Sequence, residues 1–128
     1  MIHLYQFRPH HRLHAPAEFE RVYRQGRRAG DNLFAVNALP NEHGCARLGM
    51  SVSTRTVGNA VNRNRVRRII REVFRAHMTE LPAMDFVVTS RPGAKTAMRD
   101  AIASSLQALI GRATRPQAPV LSPTPRSI

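Results

Sequence analysis

The chain has 128 residues and a formal net charge of +12 at pH 7, because 20 basic side chains outnumber 8 acidic ones. That length predicts one domain with a modest core, and that charge favours a polyanionic partner. The single cysteine, Cys45, excludes an intramolecular disulfide. No apolar run approaches the ~18 residues of a membrane span, and the first residues lack the apolar core of a signal peptide. We therefore expect a cytoplasmic protein without a membrane partner.

Residues 1–14 are polar and are predicted to form a loosely ordered basic arm. The arm carries four histidines, His3, His10, His11 and His14. A metal site is the weaker interpretation of these histidines, because the arm contains no carboxylate and Cys45 is distant in the sequence. We expect no metal ligands in this chain.

A short helix is predicted from Pro16 to about Gln25, since proline is tolerated in the first helical turn. Its apolar stripe, at positions i, i+3 and i+4, consists of Phe19, Val22 and Tyr23. Plain core packing accounts for this stripe. The functional alternative is that one edge of the stripe stays open and stacks nucleic-acid bases.

Two strands are predicted next, at residues 32–39 and 46–53, with a turn at residues 40–44 between them. We expect the two strands to pair as an antiparallel hairpin. The second strand alternates between an apolar side and a side of small or polar residues, Arg47, Gly49, Ser51 and Ser53. That second side is either exposed to solvent or approached closely by a nucleic-acid backbone, and the spacing fits both.

The densest charge lies at residues 55–77, which carry seven arginines and one glutamate, half of the net charge. The pattern predicts a helix with Asn59 as its N-cap and an end near residues 77–81. One apolar stripe recurs at helical period and consists of Val66, Ile69, Ile70, Val73 and Phe74. A separate arc carries Asn64, Arg67, Arg68, Arg71 and Arg75.

Arginine suits a polyanion, because the guanidinium group is planar, always ionised and able to bind two phosphate oxygens. The alternative is a solvated basic face with helical pairs such as Arg68 with Glu72. One acid cannot balance the six arginines between Arg63 and Arg75, and a polyanionic partner would relieve their mutual repulsion.

A further strand is predicted at residues 85–90 and a helix at about residues 96–111. The inward side chains of that helix would be Met98, Ile102, Leu106, Leu109 and Ile110. Residues 113–128 carry four prolines among small polar residues and are predicted to be a disordered tail. The order of elements indicates one α+β domain, at residues 15–112, in which helices cover a small mixed sheet.

The acidic residues do not predict a nuclease site. Hydrolysis of RNA by a protein normally needs metals held by clustered carboxylates, or a histidine acid–base pair. The closest acids, Glu18 and Glu20, are two residues apart on a helix and do not share a face. No phosphate-binding glycine loop, zinc spacing or serine elbow is present. We therefore expect no catalytic side chain, which fits an RNA-binding subunit whose chemistry is carried out elsewhere.

The stretch from Val57 to Glu72 reads Val-Gly-Asn-Ala-Val-x-Arg-Asn-Arg-x-x-Arg-x-x-Arg-Glu. It resembles the arginine–asparagine–arginine signature of the bacterial ribonuclease P protein subunit, and looser matches run in order from about Phe7 to Leu109. The resemblance implies a two-layer sandwich of a four-stranded mixed sheet and three helices, like domain 2 of ribosomal protein S5. It also implies a left-handed crossover around the basic helix, against the usual right-handed rule.

The family removes the 5′ leader from precursor tRNA. The resemblance implies that a large RNA subunit is the catalyst and uses bound Mg²⁺. The protein would bind that RNA and the leader, raising substrate affinity and lowering the magnesium requirement. The expected partners are therefore the catalytic RNA and precursor tRNA with its leader, and no DNA.

The resemblance also implies roles for individual residues. The motif positions that would face the catalytic RNA are Arg63, Asn64, Arg65, Arg68 and Arg71. Arg67 and Arg75 join them from their place on the same arc, and Arg55 and Asn59 complete the RNA-binding set. Phe19 and Tyr23 match the aromatic positions of the leader-binding cleft, and Phe34 and Ser51 would help to form its floor. Thr54-Arg55-Thr56 stands where many members have consecutive lysines, so this corner has one charge fewer.

Two other classes of function stay open. The first is a ribosomal-type or chaperone-like structural RNA-binding protein, which charge and fold do not separate from a ribonuclease P subunit. The second, a stand-alone protein nuclease, is disfavoured by the scattered acids.

Overall fold

The structure, a computed structural model, describes residues 11–115. Within that range the helices and strands are α1 (Pro16–Gln25), β1 (Arg27–Gly30), β2 (Phe34–Pro40), β3 (Arg47–Ser51), α2 (Thr54–Val57), α3 (Ala60–His77), β4 (Met84–Ser90) and α4 (Arg99–Thr114). Short 3₁₀ turns lie at Met78–Glu80 and Pro92–Lys95. No helix in the described range is long and apolar enough to cross a membrane.

The four strands form one mixed sheet in the order β1-β2-β4-β3. β1 pairs antiparallel with β2, β2 pairs antiparallel with β4, and β4 pairs parallel with β3. Since parallel neighbours need a crossover connection, α2 and α3 carry the chain from β3 to β4. The predicted α+β fold with a four-stranded mixed sheet is confirmed, whereas the left hand of the crossover stays a prediction.

The predicted hairpin of β2 with β3 is wrong, because β4 lies between these two strands. Phe86, Val87 and Val88 of β4 are fully buried on alternating faces, and a strand that is apolar on both faces belongs in the interior of a sheet. β3, which contains Gly49 and Ser51, takes the edge position instead. The resemblance implied a fourth strand, but the sequence did not place β1, since its four residues are Arg-Arg-Ala-Gly.

The main core lies between one face of the sheet and helices α3 and α4. The predicted apolar stripe of α3 is buried in this core, and Phe74 meets Phe86 edge-on with ring centroids 5.4 Å apart. The predicted inward residues of α4 are also buried, except Met98. That prediction is wrong because α4 begins only at Arg99, which leaves Met98 75% exposed.

Helix α1 lies on the opposite face of the sheet, where Val22 packs with Leu13 and Val87 in a smaller cluster. α1 covers only part of this face. The predicted two layers are therefore the sheet and the layer of α3 and α4, and α1 is a partial cover on the other face. The uncovered part of the second face, beside α1, is the place where a cleft can form.

The ends of the domain differ from the predicted boundaries. Leu13 is buried and donates its backbone N–H to the carbonyl oxygen of Leu48 at 3.0 Å, so the predicted loose arm is wrong at this residue. α4 continues to Thr114, beyond the predicted boundary at residue 112. Residues 1–10, with His3 and His10, and residues 116–128 of the predicted tail lie outside the described range.

Gly58 joins α2 to α3 with a φ of +93°, a conformation that only glycine adopts readily. We expect Gly58→Ala to lower the free energy of unfolding by about 1–3 kcal/mol, because alanine is strained there. Gly111→Ala is the matched control, since Gly111 lies inside α4 with open space around it. That control should be neutral or stabilising. Urea unfolding of both variants measures the difference, and equal stabilities would contradict the strain at Gly58.

Candidate nucleic-acid interface

Phe19 of α1 lies directly on the backbone of β3. A Cβ atom added to Gly49 would lie 2.6 Å from Cζ of the Phe19 ring, which is closer than van der Waals contact allows. Of the two possibilities that the sequence left open for the small side of β3, close approach applies at Gly49, but the approaching group there is Phe19 and not a nucleic-acid backbone. The ring itself is only partly buried.

Tyr23, one helical turn further along α1, is 43% exposed. Its hydroxyl group lies 3.2 Å from Oγ1 of Thr89 on β4, and this hydrogen bond fixes the ring above the sheet. Ser51 is the partner of Thr89 in the β3–β4 register, and it lies on the same face of the sheet. We call the surface formed by Phe19, Tyr23, Ser51 and Thr89 the aromatic cleft.

Phe34 does not line this cleft, so that prediction is wrong. Its side chain is fully buried in the main core with Val36, on the face of the sheet that packs against α3 and α4. Alternation places Ala35 and Asn37 of β2 on the α1 side instead. Asn37 and Thr89 were missed because the sequence does not show which face of a strand α1 covers.

Two arginines of α3, Arg67 and Arg71, extend the aromatic cleft towards the helix. They line a cavity of about 290 Å³ together with Phe19, Gly49 and Arg12. The aromatic ring and the guanidinium groups therefore border one continuous concave surface. Such a surface can hold a base against the ring and a phosphate against the arginines.

The electrostatics of this surface favour an anion. Partial burial lowers the pKa of Arg71 from its ordinary value, and the neighbouring charges of Arg67, Arg12, Arg75 and Arg68 lower it further. The guanidinium group stays ionised at neutral pH. A bound phosphate would offset the repulsion from these neighbouring arginines, which adds to the effect of burial on the pKa of Arg71.

Two further arginines of α3, Arg65 and Arg68, lie on the side of the helix that faces α4. Arg65 points towards the segment before α4, where it donates to Oδ1 of Asn62 at 2.8 Å and to the carbonyl oxygen of Ala97 at 3.3 Å. Arg68 is largely exposed, and its Nε lies 4.0 Å from Oε2 of Glu72. Glu72 is held more closely by Arg99, at 2.6 Å. Together with Val61, these residues lie on the flank of α3 that faces α4.

The other predicted RNA-binding residues lie near these two surfaces. Asn59 is the N-cap of α3, as predicted, and its Oδ1 accepts the backbone N–H of Asn62 at 3.0 Å. Arg63 is partly buried, and its Nε makes no hydrogen bond within the described residues. The exposed members of this group are Arg55, Asn59, Asn64 and Arg75.

A buried ion pair, which the sequence did not predict, fixes α1 in place. Nε and a terminal nitrogen of Arg47 donate to the two carboxylate oxygens of Asp85 at 2.8 and 2.9 Å. Another terminal nitrogen of Arg47 reaches Glu18 of α1 at 3.3 Å, and Asn41 donates to Asp85 at 2.8 Å. The network links α1 to β3 and β4, and so helps to position Phe19 and Tyr23.

Four of the eight carboxylates, all of which lie within the described residues, have structural roles. Glu18, Glu72 and Asp85 pair with arginines, and Asp31 accepts backbone N–H groups of Leu33 and Phe34. Within residues 11–115 no group of three or more His, Cys, Asp or Glu side chains could hold a metal ion.

Comparison with known proteins identifies the family. A family model described as Ribonuclease P matches residues 7–114. The ribonuclease P protein component of Syntrophobacter fumaroxidans is 47% identical over 92 residues, covering 70% of this chain and 76% of that protein. The corresponding protein of Salmonella arizonae is 38% identical over 104 residues, covering 81% and 87%. The Staphylococcus aureus RNase P protein structure aligns with a TM-score of 0.77 at 36% identity, covering 81% of this chain and 95% of that one. The chain therefore belongs to the ribonuclease P protein family.

Proposed function

We propose that this protein is the subunit of a ribonuclease P ribonucleoprotein that binds precursor tRNA and the RNA subunit, and that the RNA subunit catalyses cleavage. The observation that carries the proposal is that Phe19 of the aromatic cleft lines one concave surface together with Arg67 and Arg71. One side of that surface suits unpaired bases, and the other suits phosphates.

The 5′ leader of precursor tRNA is the proposed occupant of the aromatic cleft. A leader is single-stranded, so its bases can stack on Phe19 and Tyr23, whatever their sequence. The small side chains of Ser51 and Thr89 form the floor of the cleft and let the sugar–phosphate backbone of the leader approach the sheet. The exposed arginines of α3 then face the RNA subunit, where rigidly spaced charges match successive phosphates.

The proposal assigns the chemistry to RNA and its bound Mg²⁺. Support comes from four of the eight acids of the described residues, Glu18, Asp31, Glu72 and Asp85, which already have internal partners. Mg²⁺ prefers several oxygen ligands, and RNA phosphates and bases can supply them. The protein's part is to hold the leader and to neutralise phosphate charge, which lowers the concentration of Mg²⁺ that the complex needs.

A ribosomal-type or chaperone-like role is not favoured, because the matching family and the relatives above carry the ribonuclease P name. Cleavage of a precursor tRNA at low Mg²⁺ tests the proposal. The samples are a bacterial ribonuclease P RNA alone, this protein alone, and both together. Correct 5′ processing only in the mixture supports the proposal. Cleavage by the protein alone would place the catalyst in the protein, and tight RNA binding without stimulation would favour the ribosomal-type role.

Arg68→Ala is expected to weaken binding to the RNA subunit and to reduce the slope of log affinity against log salt by about 0.7–0.9, the value for one phosphate contact. Arg112→Ala is the matched control, because Arg112 is also an exposed helical arginine but lies near the C-terminal end of α4. The salt dependence of the dissociation constant measures both. An unchanged slope for Arg68→Ala would remove this residue from the interface.

A further inference from the structure

Two large apolar side chains are strongly exposed on the side of α3 that faces away from the aromatic cleft. Val61 is 79% exposed and Met98 is 75% exposed, and the only other exposed large apolar residue in the described range is Tyr23 of the cleft. Single exposed apolar residues are ordinary, but these two belong to one surface.

Three contacts hold the segment before α4 against α3. The side-chain amide of Asn62, next to Val61, donates to the carbonyl oxygen of Lys95 at 2.9 Å. Arg65 donates to the carbonyl oxygen of Ala97, the neighbour of Met98, at 3.3 Å. Arg99 pairs with Glu72 at 2.6 Å. The first turns of α3 and α4 therefore form one fixed surface that presents Val61 and Met98.

The rim of this surface is mainly basic. Arg68, Lys95 and Arg99 are exposed, and the acids nearby in the sequence are Glu72 and Asp100. Glu72 is already paired with Arg99. An apolar centre with a cationic rim fits a nucleotide better than a neutral protein surface, since bases and sugars have apolar faces and the linking phosphates are anionic.

We infer that this surface, defined by Val61, Arg68, Lys95, Met98 and Arg99, is a second contact with RNA. The inference rests on the proposed function and names the RNA subunit as the occupant, because the surface lies on the flank of α3 opposite the cleft that holds the leader. Phosphates contact the three basic side chains, and an unstacked base or ribose packs on Val61 and Met98. α3 then touches RNA along both flanks.

Directed cleavage tests the placement. In a Cys45→Ser background, which removes the only cysteine, Met98→Cys carries a tethered iron–EDTA probe in the assembled ribonucleoprotein. We expect cuts confined to a short segment of the RNA subunit. Arg112→Cys, near the other end of α4, is the control and should not cut that segment. No cuts from position 98 above the cysteine-free background, with RNA binding intact, would overturn the inference.

Binding measurements separate this inference from the proposed function. Lys95→Ala combined with Val61→Ser should weaken binding to the RNA subunit and lower the salt slope by about 0.7–0.9, the value for one phosphate. The loss in precursor affinity should be equal for substrates with and without a leader. Unchanged RNA affinity and slope would overturn the second contact and would point to a protein partner for this surface. Failure of the wild-type protein to stimulate cleavage would instead refute the proposed function.

Discussion

Arg47→Ala is expected to lower the free energy of unfolding by about 3–5 kcal/mol, the cost of removing one member of a buried ion pair. The Asp85 side chain is only 2% exposed, and it receives two of its three hydrogen bonds from Arg47. Without the guanidinium group, Asp85 keeps its charge in a low-dielectric site, and of its three hydrogen bonds only the one from Asn41 is left. Urea unfolding at pH 7 measures the loss.

The difference in the free energy of unfolding between the wild type and Arg47→Ala should become smaller as the pH is lowered. In the wild-type fold burial raises the pKa of Asp85, but hydrogen bonds from Arg47 and Asn41 outweigh it and leave the pKa below its ordinary value. The pair therefore contributes stability above the ordinary carboxyl pKa, and this contribution is lost as the pH falls through the lowered one. In Arg47→Ala burial dominates and the pKa of Asp85 rises above its ordinary value. The folded variant therefore binds a proton at Asp85 at a higher pH than the unfolded state does. Its free energy of unfolding then approaches that of the wild type as the pH is lowered towards 4.

The control for this prediction is the double variant Arg47→Ala, Asp85→Asn, which removes the buried charge together with its partner. It should recover part of the stability lost in Arg47→Ala at pH 7, because no unpaired carboxylate is left inside. A deficit in Arg47→Ala that stays constant between pH 7 and pH 4, or that the second substitution does not reduce, would show that Asp85 is not the source of the loss.

The elements with strong local patterns could be predicted from the sequence, and the pairing between them could not. α3 was predicted with its N-cap Asn59 and its buried stripe, because the apolar residues repeat at helical period from Val66 to Phe74, over about two and a half turns. The position of β4 between β2 and β3 depends on contacts between residues about 40 or more apart in the sequence. Local alternation carries no information about such neighbours, and so the hairpin prediction failed.

The candidate site shows the same division. Helical period placed Arg67 and Arg71 on one arc, and the structure brings both beside Phe19. The period could not show that Arg65 would be held by the carbonyl oxygen of Ala97, 32 residues away. The resemblance assigned Phe34 to the wrong face, and the sequence could not correct it, since alternation defines two faces of a strand but does not show which one meets α1.

Phe19→Ala is expected to weaken binding of precursor tRNA by about 1–3 kcal/mol, the value of one lost base–aromatic stack, provided that the substrate carries a leader. The partly exposed ring lies on Gly49 and borders the same cavity as Arg67 and Arg71. A base that stacks on this ring would therefore have its phosphate within reach of the arginines. Equilibrium binding to the assembled ribonucleoprotein, with and without a leader on the substrate, measures the effect.

Phe19→Leu separates stacking from packing. Leucine keeps an apolar contact with Gly49 and Leu13 but has no aromatic face, so the fold should survive while the leader-dependent part of the affinity falls. Gly49→Ala changes the other residue of this contact and leaves Phe19 in place. Its methyl group would displace the ring without removing it, and leader affinity should fall although both aromatic residues are intact. If Phe19→Leu binds leader-bearing and leaderless substrates with the same affinities as wild type, then Phe19 is only a packing residue and the leader lies elsewhere.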